Sequence, residues 1–151
     1  EYGLTESSIV STYKRLESKE DISKIGSPIY NTKCYVLDHN LRLLPIGAKG
    51  ELYISGVGLA RGYLNQSNLA AEKFISNPFQ TEEERLQSKN TKLYKTGDLV
   101  RWLASGDLEY ISRNDFQVKI RGYRVELGEI EAVLSSYEGI IRSTIIDKEH
   151  I

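Results

Sequence analysis

The residues with the clearest chemical potential open the chain, in the run EYGLTES at positions 1–7. Gly3 lets the backbone come close to a ligand, because glycine has no Cβ atom. Tyr2 offers an aromatic face, and Thr5 and Glu6 offer oxygen ligands of the kind that hard divalent cations prefer. Taken alone, however, a glutamate after a threonine is usually only a surface pair. The run indicates a ligand-binding turn only if other motifs support it.

A second run of this kind, YKTGDL, lies at positions 94–99. Gly97 permits a tight backbone, and Asp98 places a carboxylate at a bend in a strand. A carboxylate can accept two hydrogen bonds, which is what a pair of neighbouring hydroxyl groups requires. Standing alone, a Gly-Asp pair is more often a simple turn. The motif therefore predicts a diol-binding carboxylate with the turn as its alternative.

Strands are predicted to position these groups. Apolar or alternating runs bounded by turn residues lie at 33–38, 50–56, 92–102 and 107–112. The last two are joined by 104–107, which is typical of a hairpin connection. Between 117 and 127 apolar and charged residues alternate around Gly122, which predicts a further hairpin.

Helices are fewer and shorter. Ser67 is a plausible N-cap for a helix over 68–74, and apolar residues recur at helical spacing between 128 and 139. The polar run 81–90 has no apolar period and predicts a solvated loop, and a last strand is predicted over 140–146. This order of elements predicts an α+β chain whose first lobe is mainly β.

Composition narrows the class of protein. The 151 residues carry 20 Lys and Arg against 21 Asp and Glu, a net charge of −1, which argues against nucleic acid or an anionic membrane as partner. The single cysteine, Cys34, excludes an internal disulfide and a cysteine-based zinc site and fits the reducing cytoplasm. No apolar run has the length of a membrane span or of a secretion signal. The sequence predicts a cytoplasmic globular protein.

Four segments, in order and with suitable spacing, resemble the motifs of adenylation domains of nonribosomal peptide synthetases. They are EYGLTES at 1–7, GELYISGVGLARGYLN at 50–65, YKTGDLVRW at 94–102 and SRNDFQVKIRGYRVELGEIE at 112–131. The resemblance extends over nearly the whole chain. It implies an adenylate-forming ligase that uses ATP and Mg²⁺ to activate an amino acid and then loads it as a thioester onto the phosphopantetheine of a peptidyl carrier protein domain.

The same resemblance implies the fold and its division. Residues 1–114 would be the β-rich, distorted barrel-like last subdomain of a large core, and 115–151 the hinge and the start of a small C-terminal α+β lobe. The family's phosphate loop and catalytic lysine match nothing in this sequence. We therefore expect a piece that needs the rest of the adenylation domain and is not active alone.

Roles in nucleotide binding follow from the matched motifs. The resemblance implies that Tyr2 stacks on adenine, Thr5 lies at the α-phosphate, Glu6 binds Mg²⁺, Asp98 holds the ribose, Tyr110 lines the pocket and Arg113 contacts ribose and phosphate. The planar, permanently charged guanidinium of Arg113 suits that role. Two positions depart from the family pattern: Leu4 replaces a proline, which predicts a less rigid loop, and Ser112 replaces a glycine.

Other matched residues imply a moving lobe. Asp115 falls at the family's hinge, and Lys119, Arg121 and Gly122 lie on the hairpin that the family swings into the site for thiol transfer. Without the resemblance, the charges of this hairpin indicate only a solvated face.

The substrate side chain meets the residue before the tyrosine and a pair after the glutamate in this family. Here these are Glu1, Ile9 and Val10. Two aliphatic residues favour a sizeable apolar or aromatic amino acid, while Glu1 could instead pair with a basic side chain. The sequence does not decide which amino acid is activated.

Partners and alternatives complete the sequence-based hypothesis. A small MbtH-like accessory protein, which some family members require, would dock on the helix around Ala70, Ala71 and Phe74, although a helix that only packs on the barrel is the simpler interpretation. Two other functions are open: a standalone acyl- or aryl-CoA ligase of the same superfamily, and a non-catalytic interaction module that retains the fold.

Overall fold

The computed structural model describes residues 1–15, 22–114, 117–120 and 123–146. Over the first part of the chain its strands are β1 Thr12–Tyr13, β2 Lys24–Pro28, β3 Thr32–Leu37, β4 Gly50–Gly56, β5 Phe74–Ser76, β6 Lys92–Trp102 and β7 Leu108–Arg113. These strands form one sheet in the order β1-β2-β7-β6-β4-β3, with β5 paired to β6. The sheet curls as an antiparallel half-barrel, so the predicted α+β class with a barrel-like β-rich part is confirmed.

The central strands of this sheet bury side chains on both of their faces. On β4, Leu52 and Ile54 belong to one apolar cluster and Tyr53 to another. On β6, Tyr94 belongs to the first cluster and Leu93 to the second. Because successive residues of a strand point to opposite faces, the two clusters lie on opposite sides of the sheet. The strands predicted at both places are present, and burial on both faces holds them rigid.

The opening segment is tied to this sheet by its apolar residues. Tyr2 forms an isolated bridge with Thr12, and both Tyr2 and Leu4 are buried in the first cluster. The N–H of Leu4 donates to Ser7 Oγ at 3.3 Å, and its φ is −134°. Proline has no N–H and fixes φ near −65°, so it could provide neither this hydrogen bond nor this backbone conformation.

Two local predictions around residues 66–90 are wrong. The helix α1 spans Ser67–Lys73, and the cap position belongs to Gln66, which makes no side-chain capping bond, so Ser67 is not the N-cap. A short helix, α2 Glu82–Leu86, lies within the run predicted to be a loop. Thr81 accepts from the N–H of Glu84 and Glu84 accepts from that of Thr81, a capping box that nucleates a helix without any apolar period.

Glu84, the capping glutamate of α2, also forms an ion pair with β3. The Nζ of Lys33 lies 2.7 Å from Glu84 Oε1. This bond, together with those from Thr81 and Asn90, lowers the pKa of Glu84 from 4.5 to about 2. A carboxylate whose pKa is lowered by folding stabilises the folded state when the pH is above the pKa of the unfolded chain. This contribution is lost as the pH falls towards the lowered pKa.

We therefore expect Lys33→Met to lower the melting temperature of the intact protein at pH 7, and the difference from wild type to shrink as the pH falls below about 4.5. The exposed Lys49 is the matched control, and Lys49→Met should show no such pH dependence. Melting curves at several pH values measure this. A Lys33→Met difference that stays constant with pH would contradict the assignment.

The chain divides into two compact units, of which the first spans Glu1–Ser112 and the second begins at Arg113. In the second unit, strands β8 Gln117–Ile120 and β9 Tyr123–Glu126 form an antiparallel hairpin, and α3 spans Leu127–Ser135. The hairpin and the helix were predicted, although the helix ends before Gly139. The prediction of a strand over 140–146 is wrong, since that range forms no strand in the structure. Apolar residues alone do not make a strand without a partner to complete its hydrogen bonds.

None of the helices in the described ranges combines the length and apolar character needed to cross a bilayer.

Candidate active site

Tyr2 and Asp98, which are 96 positions apart in sequence, meet in the interior of the first unit. The hydroxyl of Tyr2 donates a hydrogen bond to Asp98 Oδ2. Both residues are buried, and Asp98 has no exposed surface at all. Burial and the neighbouring carboxylate of Asp98 raise the pKa of Tyr2 well above its usual range, so the phenol remains a hydrogen-bond donor. Two residues predicted to bind one nucleotide are thus in direct contact.

A bulge in β6 turns Asp98 towards Tyr2. Between paired positions of β4 and β6, the single residue Leu52 lies opposite three residues, 96–98. Gly97 has a φ of 77°, in the left-handed region that glycine adopts readily. Bulges re-aim side chains and are frequent beside active sites. The bend predicted at Gly97 is present, and its cause is this change of register.

Side chains from both strands hold the bulge in place. Thr96 Oγ1 donates to the carbonyl of Leu52 at 2.8 Å and accepts from the N–H of Asp98 at 3.0 Å. The N–H of Gly97 donates to Glu51 Oε1 at 3.1 Å. Burial raises the pKa of Glu51, and the opposing effects of Lys95 and this N–H only partly offset it. Thr96 and Glu51 are site residues that the sequence analysis missed.

Glu6 lies in a 3-10 turn over Thr5–Ser7, close to the hydroxyl of Tyr63. Only 8% of Glu6 is exposed, whereas Thr5 is exposed. The hydroxyl of Tyr63 donates to Glu6 Oε1 at 2.8 Å and lies 3.4 Å from the hydroxyl of Tyr94. Burial, with Tyr94 and Glu6 nearby, raises the pKa of Tyr63, which therefore stays protonated. Tyr63 was not predicted as a site residue, although its motif ARGYLN was singled out.

The same turn brings Gly3 against the backbone of Ile9. A Cβ atom on Gly3 would lie 1.8 Å from the carbonyl oxygen of Ile9. Ile9 has a φ of 76°, and the N–H of Val10 donates to the carbonyl of Ser8 at 2.9 Å, which together mark a γ-turn of the rare strained type. Gly3 was predicted to bring the backbone close to a ligand. The close approach seen here is to the chain's own backbone, and its role at a ligand stays a prediction.

Of the predicted substrate-pocket residues, Ile9 and Val10 belong to this γ-turn. Ile9 is 79% exposed, Glu1 is exposed and Val10 is half-buried. The side chain of Ile9 is therefore not part of the core of this unit and is free to pack against something else. A β-branched residue at positive φ is strained, and such strain is frequently found at functional sites.

Other predicted residues lie farther along the chain. Tyr110 is half-buried on β7, where its N–H donates to the carbonyl of Ser23 at 2.7 Å, and Arg113 is the last residue of that strand. Asp115, Arg121 and Gly122, together with the side chain of Lys119, lie outside the described residues. Their predicted roles stay predictions.

Comparison with known proteins shows what this chain is similar to. Residues 1–64 match the model of the AMP-binding enzymes. The chain is 55% identical over 153 aligned residues to N-(5-amino-5-carboxypentanoyl)-L-cysteinyl-D-valine synthase of Amycolatopsis lactamdurans, covering 99% of this chain and 4% of that protein. It is 47% identical over 149 residues to tyrocidine synthase 3 of Brevibacillus parabrevis, covering 99% of this chain and 2% of that protein.

Solved structures agree. A nonribosomal peptide synthetase protein containing adenylation and PCP domains superposes with a TM-score of 0.83 at 29% identity, over 99% of this chain and 30% of that one. A four-domain nonribosomal peptide synthetase bound to AMP and glycine matches with a TM-score of 0.67 at 40% identity, over 99% of this chain and 11% of that one.

Residues 1–64 therefore match the AMP-binding enzymes, and the chain as a whole is similar to parts of nonribosomal peptide synthetases. It resembles part of an adenylation domain of the nonribosomal peptide synthetase type, and it spans only a few per cent of the length of the curated relatives above.

Proposed function

We propose that the chain is the part of an amino acid adenylation domain that holds the nucleoside of ATP and the start of the lobe used for thiol transfer. The whole domain would form an aminoacyl-adenylate, release pyrophosphate and load the aminoacyl group as a thioester onto a carrier protein. The observation that carries this proposal is the buried contact between Tyr2 and Asp98, made by two family motifs from opposite ends of the first unit.

Asp98 would bind the ribose. A fully buried carboxylate is costly unless every oxygen is hydrogen-bonded, and the Tyr2 hydroxyl meets part of that need here. Two ribose hydroxyl groups would supply donors of the same kind, so they could replace or join the Tyr2 hydroxyl when ATP enters. Tyr2 would then present its ring to the adenine, and Tyr110 would line the nucleotide pocket. The contact of Arg113 with ribose and phosphate stays a prediction from its motif.

Glu6 fits the role of a magnesium ligand. Within the described residues, no group of three or more His, Cys, Asp or Glu side chains could hold a metal ion. Mg²⁺ is commonly held by one or two carboxylates together with water and substrate phosphates, so one well-placed carboxylate is enough. When bound, the ion would neutralise phosphate charge. Glu6 would hold it, with Thr5, exposed on the same turn, oriented towards the α-phosphate.

Carrier-protein loading would use the second unit. We propose that Asp115 is the hinge and that the hairpin with Lys119, Arg121 and Gly122 approaches the phosphopantetheine arm. The likeness to a solved protein containing adenylation and PCP domains supports a carrier protein as partner.

An MbtH-like protein would dock on α1, where Ala71 is exposed and Ala70 is half-buried. Phe74 has to be removed from that surface, because it lies on β5 and is 5% exposed within the first apolar cluster. Its ring packs against those of Tyr63 and Tyr94 instead.

The proposed activity is tested by exchange of pyrophosphate into ATP, measured on the intact adenylation domain with each of the twenty amino acids. With Ile9 and Val10 beside the pocket, we expect the strongest exchange with a sizeable apolar or aromatic amino acid. A preference for lysine or arginine would instead indicate that Glu1 pairs with the substrate. If none of the twenty amino acids supports exchange, that result would contradict the proposed activity.

A further inference from the structure

Glu6 takes its position from a side chain on another segment. The 3-10 turn that carries it has only three residues and fixes the backbone, but not the torsions of a long glutamate side chain. Those torsions are constrained by the hydroxyl of Tyr63, which donates to Oε1 at 2.8 Å across 57 positions of sequence. Because that bond engages one carboxylate oxygen, it also determines the direction of the other.

The segment 58–63 holds the backbone of the same turn. The N–H of Ala60 donates to the carbonyl of Glu6 at 2.8 Å, and Ser8 Oγ donates to the carbonyl of Gly58 at 2.7 Å. These hydrogen bonds and the one from Tyr63 join the two segments, and the bond from Tyr63 reaches the carboxylate of Glu6.

Tyr63 is itself well fixed. Its ring makes an edge-to-face contact with Phe74, with ring centroids 5.5 Å apart and an interplanar angle of 68°. Its hydroxyl lies 3.4 Å from that of Tyr94, whose side chain is fully buried. Phe74 and Tyr94 are paired residues of β5 and β6. The donor is thus anchored in the rigid part of the sheet.

We propose that Tyr63 is a positioning residue that orients the carboxylate of Glu6 towards the divalent cation bound with ATP. This inference rests on the proposed function, in which Glu6 is the magnesium ligand. Carboxylates that bind metals are commonly held by a second hydrogen bond, and loss of that partner typically weakens metal binding about 10- to 100-fold. The simpler alternative is a tyrosine whose hydroxyl only satisfies a buried acid.

The test uses Mn²⁺ as the probe, on the intact adenylation domain with a non-hydrolysable ATP analogue bound. Electron paramagnetic resonance measures the dissociation constant of Mn²⁺ for wild type, Tyr63→Phe and Glu6→Gln. We expect Tyr63→Phe to weaken Mn²⁺ binding about 10- to 100-fold, while binding of the metal-free analogue changes less than about threefold. The Mg²⁺ concentration for half-maximal pyrophosphate exchange should rise by the same factor.

Tyr35→Phe is the matched control. Tyr35 is also a tyrosine of this sheet, on β3, and its ring stacks on that of Phe79 with the ring centroids 5.0 Å apart. We expect it to leave the Mn²⁺ affinity unchanged. Replacement of Tyr63 by p-methylphenylalanine keeps the volume of the side chain without a donor, so it serves as the second variant if Tyr63→Phe does not fold, with the same loss expected.

The outcomes separate the two hypotheses. If Glu6→Gln leaves the Mn²⁺ affinity unchanged, Glu6 is not the metal ligand and the proposed role of Glu6 fails. If Glu6→Gln weakens Mn²⁺ binding but both Tyr63 variants bind it as wild type does, only the positioning role of Tyr63 is wrong. Equal losses of Mn²⁺ and of metal-free nucleotide binding in the Tyr63 variants would also overturn it, because they would show a general structural effect.

Discussion

The Asp98→Ala variant of the intact adenylation domain is expected to bind ATP about 30- to 900-fold more weakly than wild type. Each charge-assisted hydrogen bond contributes roughly 1.5–3 kcal/mol, and with partial replacement by water the loss of two amounts to about 2–4 kcal/mol. Calorimetric titration with ATP measures this directly. Unchanged affinity in a folded variant would remove Asp98 from the nucleotide site.

The Tyr2→Phe variant separates ribose binding from the local structure. It removes the phenol hydroxyl that donates to Asp98 but keeps both the carboxylate and an aromatic ring. If Asp98 binds the ribose and Tyr2 contributes its ring, ATP affinity should fall much less in Tyr2→Phe than in Asp98→Ala. Equal losses would indicate that the contact between the two residues is mainly structural. Melting temperatures of both variants show whether each is folded.

The strands could be predicted because their signal is local. Alternation and turn residues at 50–56 and 92–102 are contained in short windows, and the sheet uses those residues as strands. The motif residues Tyr2 and Asp98 were also identified. Their contact was not deducible from pattern alone, because it depends on where three residues of β6 lie opposite one residue of β4.

Tyr63 shows the limit of sequence reasoning for the site. Its motif was recognised, yet nothing near it in sequence indicates that its hydroxyl reaches Glu6, which lies on a different segment. Only the folded sheet, with Phe74 and Tyr94 fixing the ring, creates that contact. By contrast, α2 has a local signal in the sequence, the capping pair Thr81 and Glu84. The helix was not predicted because the prediction relied on apolar periodicity alone.

Gly3→Ala is expected to reduce amino-acid-dependent pyrophosphate exchange by the intact domain about a hundredfold, since misplacing catalytic groups by about 1 Å has an effect of that size. The added Cβ would lie 1.8 Å from the carbonyl oxygen of Ile9, 2.5 Å from its carbonyl carbon and 2.7 Å from Val10 Cα. All three are backbone atoms, so no rotation of a side chain can relieve the overlap.

Either of two segments can move to relieve this overlap, and each of them carries proposed functional residues. If the 8–10 segment moves, the strained γ-turn at Ile9 opens and the substrate pocket changes shape. If the 1–5 segment moves instead, Tyr2 shifts relative to Asp98. Binding measurements therefore distinguish them: the first predicts weaker amino acid binding with ATP binding preserved, and the second predicts the reverse. Gly128→Ala is the control, because nothing lies within 4 Å of a Cβ there and its exchange rate should equal that of wild type. Normal exchange by Gly3→Ala would mean that the turn adapts without moving either group, and that its tight packing is not required for catalysis.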